Sequence, residues 1–398
     1  MTTQTFDAVV VGGGPAGATA AHTLAKAGVN VALLDRQGRT KPCGGAIPPR
    51  LMRDYDIPEH LLVAHAHAAR MVGPSERTVD MPINGGYVGL VDRDVYDPWL
   101  RARAVAAGAT RIDGTFEALE RDADGTAVVC YRPKGNERGS EPVRIRARAV
   151  IGADGAKSKV ARAALGDQGE TPCVFAYHEV VKSPAKGEFN FDPERCDIYY
   201  QGQLSPDFYA WIFPHGPHSS IGVGSAIKGF PLRQAVAELR AKTGMDACET
   251  VRVEGAPIPL KPLKQWDNGK DVVVAGDAAG VVAPASGEGI YYAMYSGQMA
   301  GEAVAQMIKS GDARALASAR KRFMSAHGRV FWVLGIMQHY WYSSDNRRER
   351  FVSMCDDPDV QDLTWKAYMN KELVRAKPAA HVRIFLKNMG HLLGLRAA

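Results

Sequence analysis

Apolar and polar positions along the chain switch between a period near two and a period near 3.6, and the switches mark its elements. Asp7 to Val11 is a β-branched run; glycines follow, then an Ala-rich helical stretch from Ala16 to Ala27 that Gly28 closes as a C-cap residue would. Val29 to Leu34 reads as a second buried parallel strand ending in Asp35, which completes a strand-helix-strand unit of about 30 residues. A strand leading into a tight turn recurs twice: Ala149 to Ile151 before Gly152-Ala153-Asp154-Gly155, and Asp271 to Ala275 before Gly276-Asp277. The stretches Met71 to Gly89 and Cys173 to Gly224 are β-patterned and punctuated by Pro and Gly, which suits an antiparallel sheet. Beyond about Ala293 the pattern is helical to the end.

These elements predict an α/β (α+β) chain. A Rossmann-like nucleotide-binding domain is drawn from residues 1–65, 90–170 and 255–305, an antiparallel-sheet substrate domain from 66–89 and 171–254, and a helical C-terminal region from 306–398. With 398 residues, 46% hydrophobic and 23% charged, the chain has material for two or three cores. Six cysteines (Cys43, Cys130, Cys173, Cys196, Cys248, Cys355) lie far apart, with no C-x-x-C pair and no His at zinc-ligand spacing, which argues against disulfides and structural zinc. The first residues carry no charged leader and no run reaches the roughly 18 apolar residues of a membrane span, so the expectation is a cytoplasmic protein. The formal net charge of +6 favours an anionic partner, a diphosphate, a dinucleotide or a lipid surface. Nucleic acid is the poorest fit, because the basic residues are scattered and interleave with no aromatic motif.

Gly12-Gly13-Gly14-Pro15-Ala16-Gly17 satisfies G-x-G-x-x-G between a predicted strand and a predicted helix. Gly12 permits the tight turn, Gly14 lets backbone approach a pyrophosphate, and Gly17 lets helix and strand pack closely, with Pro15 and Ala16 opening the helix at the phosphates. Asp35 is placed to accept hydrogen bonds from a ribose, and Arg36 beside it joins the cofactor-binding set. Gly276-Asp277 puts a carboxylate just after a buried strand, where it can bind a ribityl hydroxyl while the next helix N-terminus faces a reduced flavin. Nicotinamide dehydrogenases need no such group, so the dinucleotide is read as FAD. Taken singly, Asp277 is also a helix cap and Asp154 also a turn residue.

The ordered set of a G-x-G-x-x-G, the Ala153-Asp154-Gly155 turn and the late Gly276-Asp277 resembles the p-hydroxybenzoate-hydroxylase-like FAD superfamily over about Phe6 to Gly301. That resemblance implies FAD contacts for all three and places Arg93 near the cofactor, the alternative being a surface ion pair. Narrower signals are Lys41-Pro42-Cys43-Gly44-Gly45-Ala46, Tyr209-Ala210-Trp211-Ile212-Phe213-Pro214 and Pro284-Ala285-Ser286-Gly287-Glu288-Gly289-Ile290. These resemble the geranylgeranyl reductases. Ile47-Pro48-Pro49 and Gly255-Ala256-Pro257-Ile258-Pro259-Leu260 resemble the (bacterio)chlorophyll-pathway branch, and the short C-terminus is more similar to that of photosynthetic bacteria than of plants.

The resemblance implies reduction of geranylgeranyl double bonds, on geranylgeranyl diphosphate or a geranylgeranylated pigment, with NADPH or ferredoxin as electron donor. It also implies a place beside a photosynthetic membrane, next to a (bacterio)chlorophyll synthase. No second G-x-G-x-x-G follows a strand, so a nicotinamide would dock transiently. An isolated alkene has no carbonyl to polarise it, so the site must supply a hydride, an acid and an apolar tunnel that excludes water. By the resemblance Cys43, with Gly44 and Gly45, lies beside the isoalloxazine and helps position or protonate the substrate; a small buried thiol is the alternative. Tyr209, Trp211 and Phe213 alternate and would form one wall of a prenyl channel, or else pack a core. Gly287, Gly289 and Ile290 fall where the family places its loop over the flavin pyrimidine, with Glu288 there or capping a helix. His215 and His218 read as solvated turn residues. Val382, Phe385, Leu386, Met389 and Leu393 share one helical face, suited to a membrane surface or to the chain's own domain. Two rival functions fit the same fold: an aromatic monooxygenase, and a non-catalytic flavoprotein that carries prenylated pigment.

Overall fold

The computed structural model describes residues 4–36, 38, 41–135 and 141–371; the amphipathic face from Val382 to Leu393 lies outside them. The chain divides into two compact units. The first takes the start to Lys41, Arg93–Cys173 and Pro257–Gly328; the second takes Pro42–Asp92, Val174–Ala256 and the chain from Arg329 on.

The first unit is built on parallel strands. Gln4–Val11 pairs with Val31–Asp35 on one side and Val143–Gly152 on the other, and Val143–Gly152 pairs in turn with Val272–Val274. Buried on both faces, these strands are near-continuous Val, Ile, Leu and Ala, which is why they read clearly in sequence. Phe6, Val9, Val11, Leu34, Val129, Ile145, Val150 and Val272 belong to one core cluster. Each such side chain contributes about 1.5–3 kcal/mol on burial. Helix Pro15–Lys26 crosses from the first strand to Val31–Asp35, with Pro15 at its first position. The second strand starts at Val31 rather than Val29, because the Val29 N–H donates back to the Leu24 carbonyl at 3.1 Å and closes the helix.

Pattern reading left Thr110–Arg121 and Ala127–Pro133 unassigned; they form an antiparallel pair that also joins Val143–Gly152. An ion pair crosses this pair, Arg132 to Glu117 at 2.5 Å, and Arg146 of Val143–Gly152 meets Asp122, in the turn between the pair's two strands, at 3.1 Å. Helix Ile290–Ser310 lies against Pro15–Lys26 at small residues: a Cβ on Gly297 would stand 2.1 Å from the Ala16 carbonyl oxygen.

The second unit holds a seven-stranded sheet in the order Thr250–Pro259, Cys173–Lys182, His218–Ser225, Ala210–His215, Arg195–Tyr199, Ala68–Val72, Thr78–Pro82. Neighbours from Cys173–Lys182 to Arg195–Tyr199 are antiparallel, as the punctuation implied, and Arg195–Tyr199 then runs parallel to Ala68–Val72. Helix Leu232–Thr243 covers one face: Val236 and Leu239 pack with Ala210, Ile212, Ile221 and Val223. Alternation therefore sends Trp211 and Phe213 to the other face. The helical region beyond Arg329 packs into this unit, where Trp365, Tyr368 and Met369 of Pro358–Asn370 join Phe213 around Leu90 and Val88. Among the described residues no helix is long and apolar enough to cross a membrane.

Candidate functional site

In the first unit, strand register sets the site. Val11 stands opposite both Leu34 and Gly152, and Gly152 opposite Val274, so these strands finish level and their following turns share one edge. Ligands of open α/β sheets bind beyond this carboxyl edge. The turns touch. Gly12 has φ +102°, and a Cβ on it would stand 2.3 Å from the Ala153 carbonyl oxygen; a Cβ on Gly276 would stand 2.6 Å from that of Ala16. The three motifs, each more than a hundred residues from the next in sequence, thus form one cradle.

Gly17 packs the helix on its own turn, since a Cβ there would lie 1.7 Å from the Gly12 carbonyl oxygen. Gly14 differs. A Cβ on it would meet nothing within 4 Å, and no side chain caps the first turn of the helix that follows. Free backbone N–H groups, the positive end of the helix dipole and an open approach fit the pyrophosphate of a dinucleotide. Asp35 ends the next strand with Arg36 exposed beside it. Burial pushes the Asp35 carboxyl above its usual range, opposed by a hydrogen bond from Gly13 and the charge of Arg101. Arg101 Nη1 lies 3.3 Å from Asp35 Oδ2 and donates to the Gly13 carbonyl at 3.1 Å, tying the Asp35 carboxylate to the glycine loop.

Arg93 is buried and holds Asp97 through two bonds of 2.6 and 2.7 Å, so it is an ion pair of the interior rather than of the surface. Asp154 accepts from Ser158 Oγ and from the backbone N–H of Lys159 at 2.7 Å, so it braces the start of helix Lys159–Leu165, whose N-cap is Ser158. Its carboxyl is raised by burial, against those hydrogen bonds. Asp277 forms an ion pair with Lys41 in the turn Gly276–Ala279, and the Gly276 N–H donates to Ser296 Oγ at 2.9 Å. The loop before Ile290 is tight: Ala285 and Gly287 both have positive φ, +62° and +65°, and the Gly287 N–H donates to the Ala283 carbonyl at 3.0 Å. Ala285 is held in a conformation that disfavours a side chain. Gly289 precedes helix Ile290–Ser310, whose first turn also lacks a side-chain cap, and Ile290 is buried. These donors and carboxylates have the chemistry that FAD requires.

The second unit brings together Cys43, Gly44, Gly45 and the aromatic strand. The Gly45 N–H donates to Cys43 Sγ at 3.3 Å, which fixes the thiol over its own turn. A Cβ on Gly44 would sit 3.1 Å from the Phe213 ring, and one on Gly45 2.7 Å from His215 Nε2. His215 Nδ1 lies 3.2 Å from the Phe213 carbonyl; burial pushes the imidazole below its usual value, against this bond and the charge of Asp92. Tyr209, Trp211 and Phe213 are in ring contact in sequence, with centroids 5.9 and 6.2 Å apart. Room for the indole comes from Gly222, directly opposite, where a Cβ would stand 2.2 Å from Trp211 Cζ2. The result is a continuous aromatic face ending at a half-buried thiol.

Three participants escaped the sequence reading. Arg101 had a signal: Arg93, Asp97 and Arg101 recur every four residues and so share a helical face. Lys41 opens the motif that runs to Ala46, but its pairing with Asp277 had no signal, since that partner is 236 positions away. His215 was read as a turn residue, yet it belongs to the aromatic strand Ala210–His215.

Residues 5–175 match the family described as FAD binding domain. The chain is 55% identical over 390 residues, 98% of either sequence, to a protein of Rhodobacter capsulatus named geranylgeranyl diphosphate reductase. It is 37% identical over 405 residues to the chloroplastic geranylgeranyl diphosphate reductase of Oryza sativa, covering 96% of this chain and 85% of that one. Among solved structures, a geranylgeranyl bacteriochlorophyll reductase-like protein from Thermoplasma acidophilum shares the fold with a TM-score of 0.80 at 22% identity, over 95% of this chain and 100% of the other.

Proposed function

The chain belongs to the geranylgeranyl diphosphate reductase family, and on that premise we propose that it is an FAD-dependent reductase that saturates double bonds of a geranylgeranyl chain, carried as the diphosphate or esterified to a chlorin pigment. The match to the Rhodobacter capsulatus protein along 98% of both chains carries this reading, because it spans both the glycine cradle and the aromatic face.

Each unit has a part in the scheme. Gly12, Gly14, Pro15, Ala16 and Gly17 hold the pyrophosphate, with Asp35 and Arg36 at the adenosine ribose. Asp277, Gly276, Gly287, Gly289 and Ile290 serve the ribityl chain and flavin ring, and Arg93 and Asp154 shape the cradle, one through its ion pair and the other through its bonds to the start of helix Lys159–Leu165. Bound FAD supplies the hydride. The Tyr209, Trp211 and Phe213 face aligns the prenyl chain and keeps water from it, and Cys43 positions the alkene carbon that takes a proton. That hydride would go to one alkene carbon and a proton from the Cys43 thiol, replaced afterwards from solvent, to the other, as the carbon-carbon π bond is lost. NADPH is the proposed electron donor, with ferredoxin the second candidate, each docking transiently. Contact with a membrane surface and with a (bacterio)chlorophyll synthase would give the long prenyl tail a route that avoids water.

The test is anaerobic. Purified, FAD-loaded protein is reduced with dithionite and given geranylgeranyl diphosphate or a geranylgeranylated pigment, and the products are weighed by mass spectrometry. Additions of hydrogen pairs are expected; a yellow protein that leaves both prenyl chains unchanged overturns the reading. Repeating turnover with NADPH and with reduced ferredoxin assigns the donor.

A further inference from the structure

We infer that His178, through Ser220, is a positioning residue for Trp211, and that this clamp sets how the aromatic face handles a prenyl chain. The inference rests on the function proposed above for that face. Trp211, Gly222 and His178 lie in one transverse row on three adjacent strands, Gly222 standing opposite each of the other two. Because Gly222 has no side chain, indole and imidazole approach across it with ring centroids 6.3 Å apart. Ser220, one pleat along the same face, receives both. Trp211 Nε1 donates to Ser220 Oγ at 3.1 Å, and His178 Nδ1 lies 2.9 Å from the same oxygen. On its far side His178 Nε2 lies 2.9 Å from Glu254 Oε2, and Arg252 Nε lies 2.9 Å from Glu254 Oε1.

Donor arithmetic fixes the direction of this chain. A carboxylate only accepts, so Glu254 at 2.9 Å places the imidazole proton on Nε2, as an ion-pair contact without the angle of a hydrogen bond. Nδ1 is then an acceptor, and the Ser220 hydroxyl donates to it. That leaves a Ser220 lone pair facing the indole N–H, which has one donor and no other role. From His178 Nδ1 through Ser220 to Trp211 each link is thus a hydrogen bond, with Glu254 and Arg252 standing behind the imidazole at ion-pair distance. His178, Ser220 and Trp211 are each at least nine-tenths buried, so a lost link is not replaced freely by water. Burial works to raise the Glu254 carboxyl, but His178 and Arg252 together hold it below its usual value, in keeping with a carboxylate that anchors the chain. Of the three rings of the wall, only the middle one has an N–H, and the Ser220 hydroxyl pins it.

The consequence is a wall whose central ring cannot swing. Releasing it should widen the prenyl path without touching the FAD unit. Ser220→Ala removes one hydroxyl, and Trp211→Phe breaks the same link from the other end. Holoprotein labelled with 5-fluorotryptophan is examined by fluorine NMR, the Trp211 resonance being assigned by its loss in Trp211→Phe. In Ser220→Ala that resonance is expected to shift or broaden while FAD content stays at the wild-type level. In the geranylgeranyl diphosphate assay the ratio of fully to partly reduced chains should change about two- to tenfold, the worth of one neutral hydrogen bond. Adding Ser220→Ala to Trp211→Phe should change that ratio no further. An unmoved fluorine resonance overturns the clamp, and equal, additive effects of Ser220→Ala in both backgrounds overturn its action through Trp211. A moved resonance with an unaltered product ratio overturns its role in chain handling. Should wild-type protein reduce no prenyl chain at all, the function falls and this role with it, a result separable from the others because the fluorine readout needs no substrate.

Discussion

Alanine at Gly14 and alanine at Gly17 should fail in opposite ways, although the two glycines are three residues apart in one motif. A Cβ on Gly17 would lie 1.7 Å from the Gly12 carbonyl oxygen and 3.2 Å from the Ala153 Cβ, and the nearer atom is backbone of a turn that cannot retreat. Overpacking of this kind costs about 1–3 kcal/mol, and the closeness of the clash puts Gly17→Ala at the upper end. Gly14 has φ −73° and ψ −175°, which alanine adopts without strain, and a Cβ there would meet no atom within 4 Å. Its replacement should leave the flavin-free protein unharmed or add about 0.4–1 kcal/mol by restricting the unfolded chain. If backbone at Gly14 meets the pyrophosphate, the same methyl stands where phosphate oxygens belong, and FAD affinity should fall at least tenfold, about 1.4 kcal/mol. Urea unfolding of flavin-free protein reports the first effect and titration of flavin fluorescence the second. Gly14→Ala with undiminished FAD affinity would remove the pyrophosphate from this turn. Gly17→Ala with an unchanged unfolding midpoint would show that the helix does not depend on the close approach.

Three further substitutions test other parts. Asp35→Asn probes pH: burial raises the folded carboxyl, so the folded state favours its protonated form, and wild-type stability loses ground as pH climbs from the ordinary value of about 3.9 through the raised one. Flavin-free Asp35→Asn should therefore match wild type below about pH 4 and exceed it at neutral pH, while binding FAD more weakly; a deficit at neutral pH in thermal unfolding would contradict the sign. Arg93→Met leaves Asp97 buried and uncompensated, and should lose about 3–5 kcal/mol that Arg93→Met with Asp97→Leu largely recovers; equal stability of the single and double variants would deny the pair its buried character. Cys43→Ser should retain FAD and slow prenyl reduction, and unaltered turnover with unaltered flavin content would refute a catalytic part for the thiol.

The cradle was legible because its parts are local. A strand buried on both faces leaves a run of β-branched residues, the turn after it needs glycine, and the helix after that needs small residues, so Val9 to Ala21 states its own fold. The order of the three turns then predicted what their register delivers at the carboxyl edge. Thr110–Arg121 and Ala127–Pro133 were not legible for two different reasons. Thr110–Arg121 spends alternating positions on Arg, Asp and Glu, which on a single strand resemble any solvated segment, whereas Ala127–Tyr131 is a short run buried throughout that periodicity alone does not assign.

Glycines mark the limit of such reading most clearly. Gly12 and Gly276 have positive φ, which a local argument about turns anticipates. Gly222 and Gly44 need no unusual backbone at all; each is small because a ring from elsewhere, Trp211 in one case and Phe213 in the other, occupies the space its Cβ would fill. Nothing within a few residues of either position announces that. The same holds for Lys41, whose partner Asp277 is supplied by a turn far along the chain. Local sequence therefore specifies the frame that presents backbone to a dinucleotide, whereas the aromatic face depends on pairs formed only after the sheet has aligned. Substitutions at Gly222 or Gly44 should accordingly disturb the handling of the prenyl chain while the FAD unit keeps its cofactor, and substitutions at Gly14 the reverse.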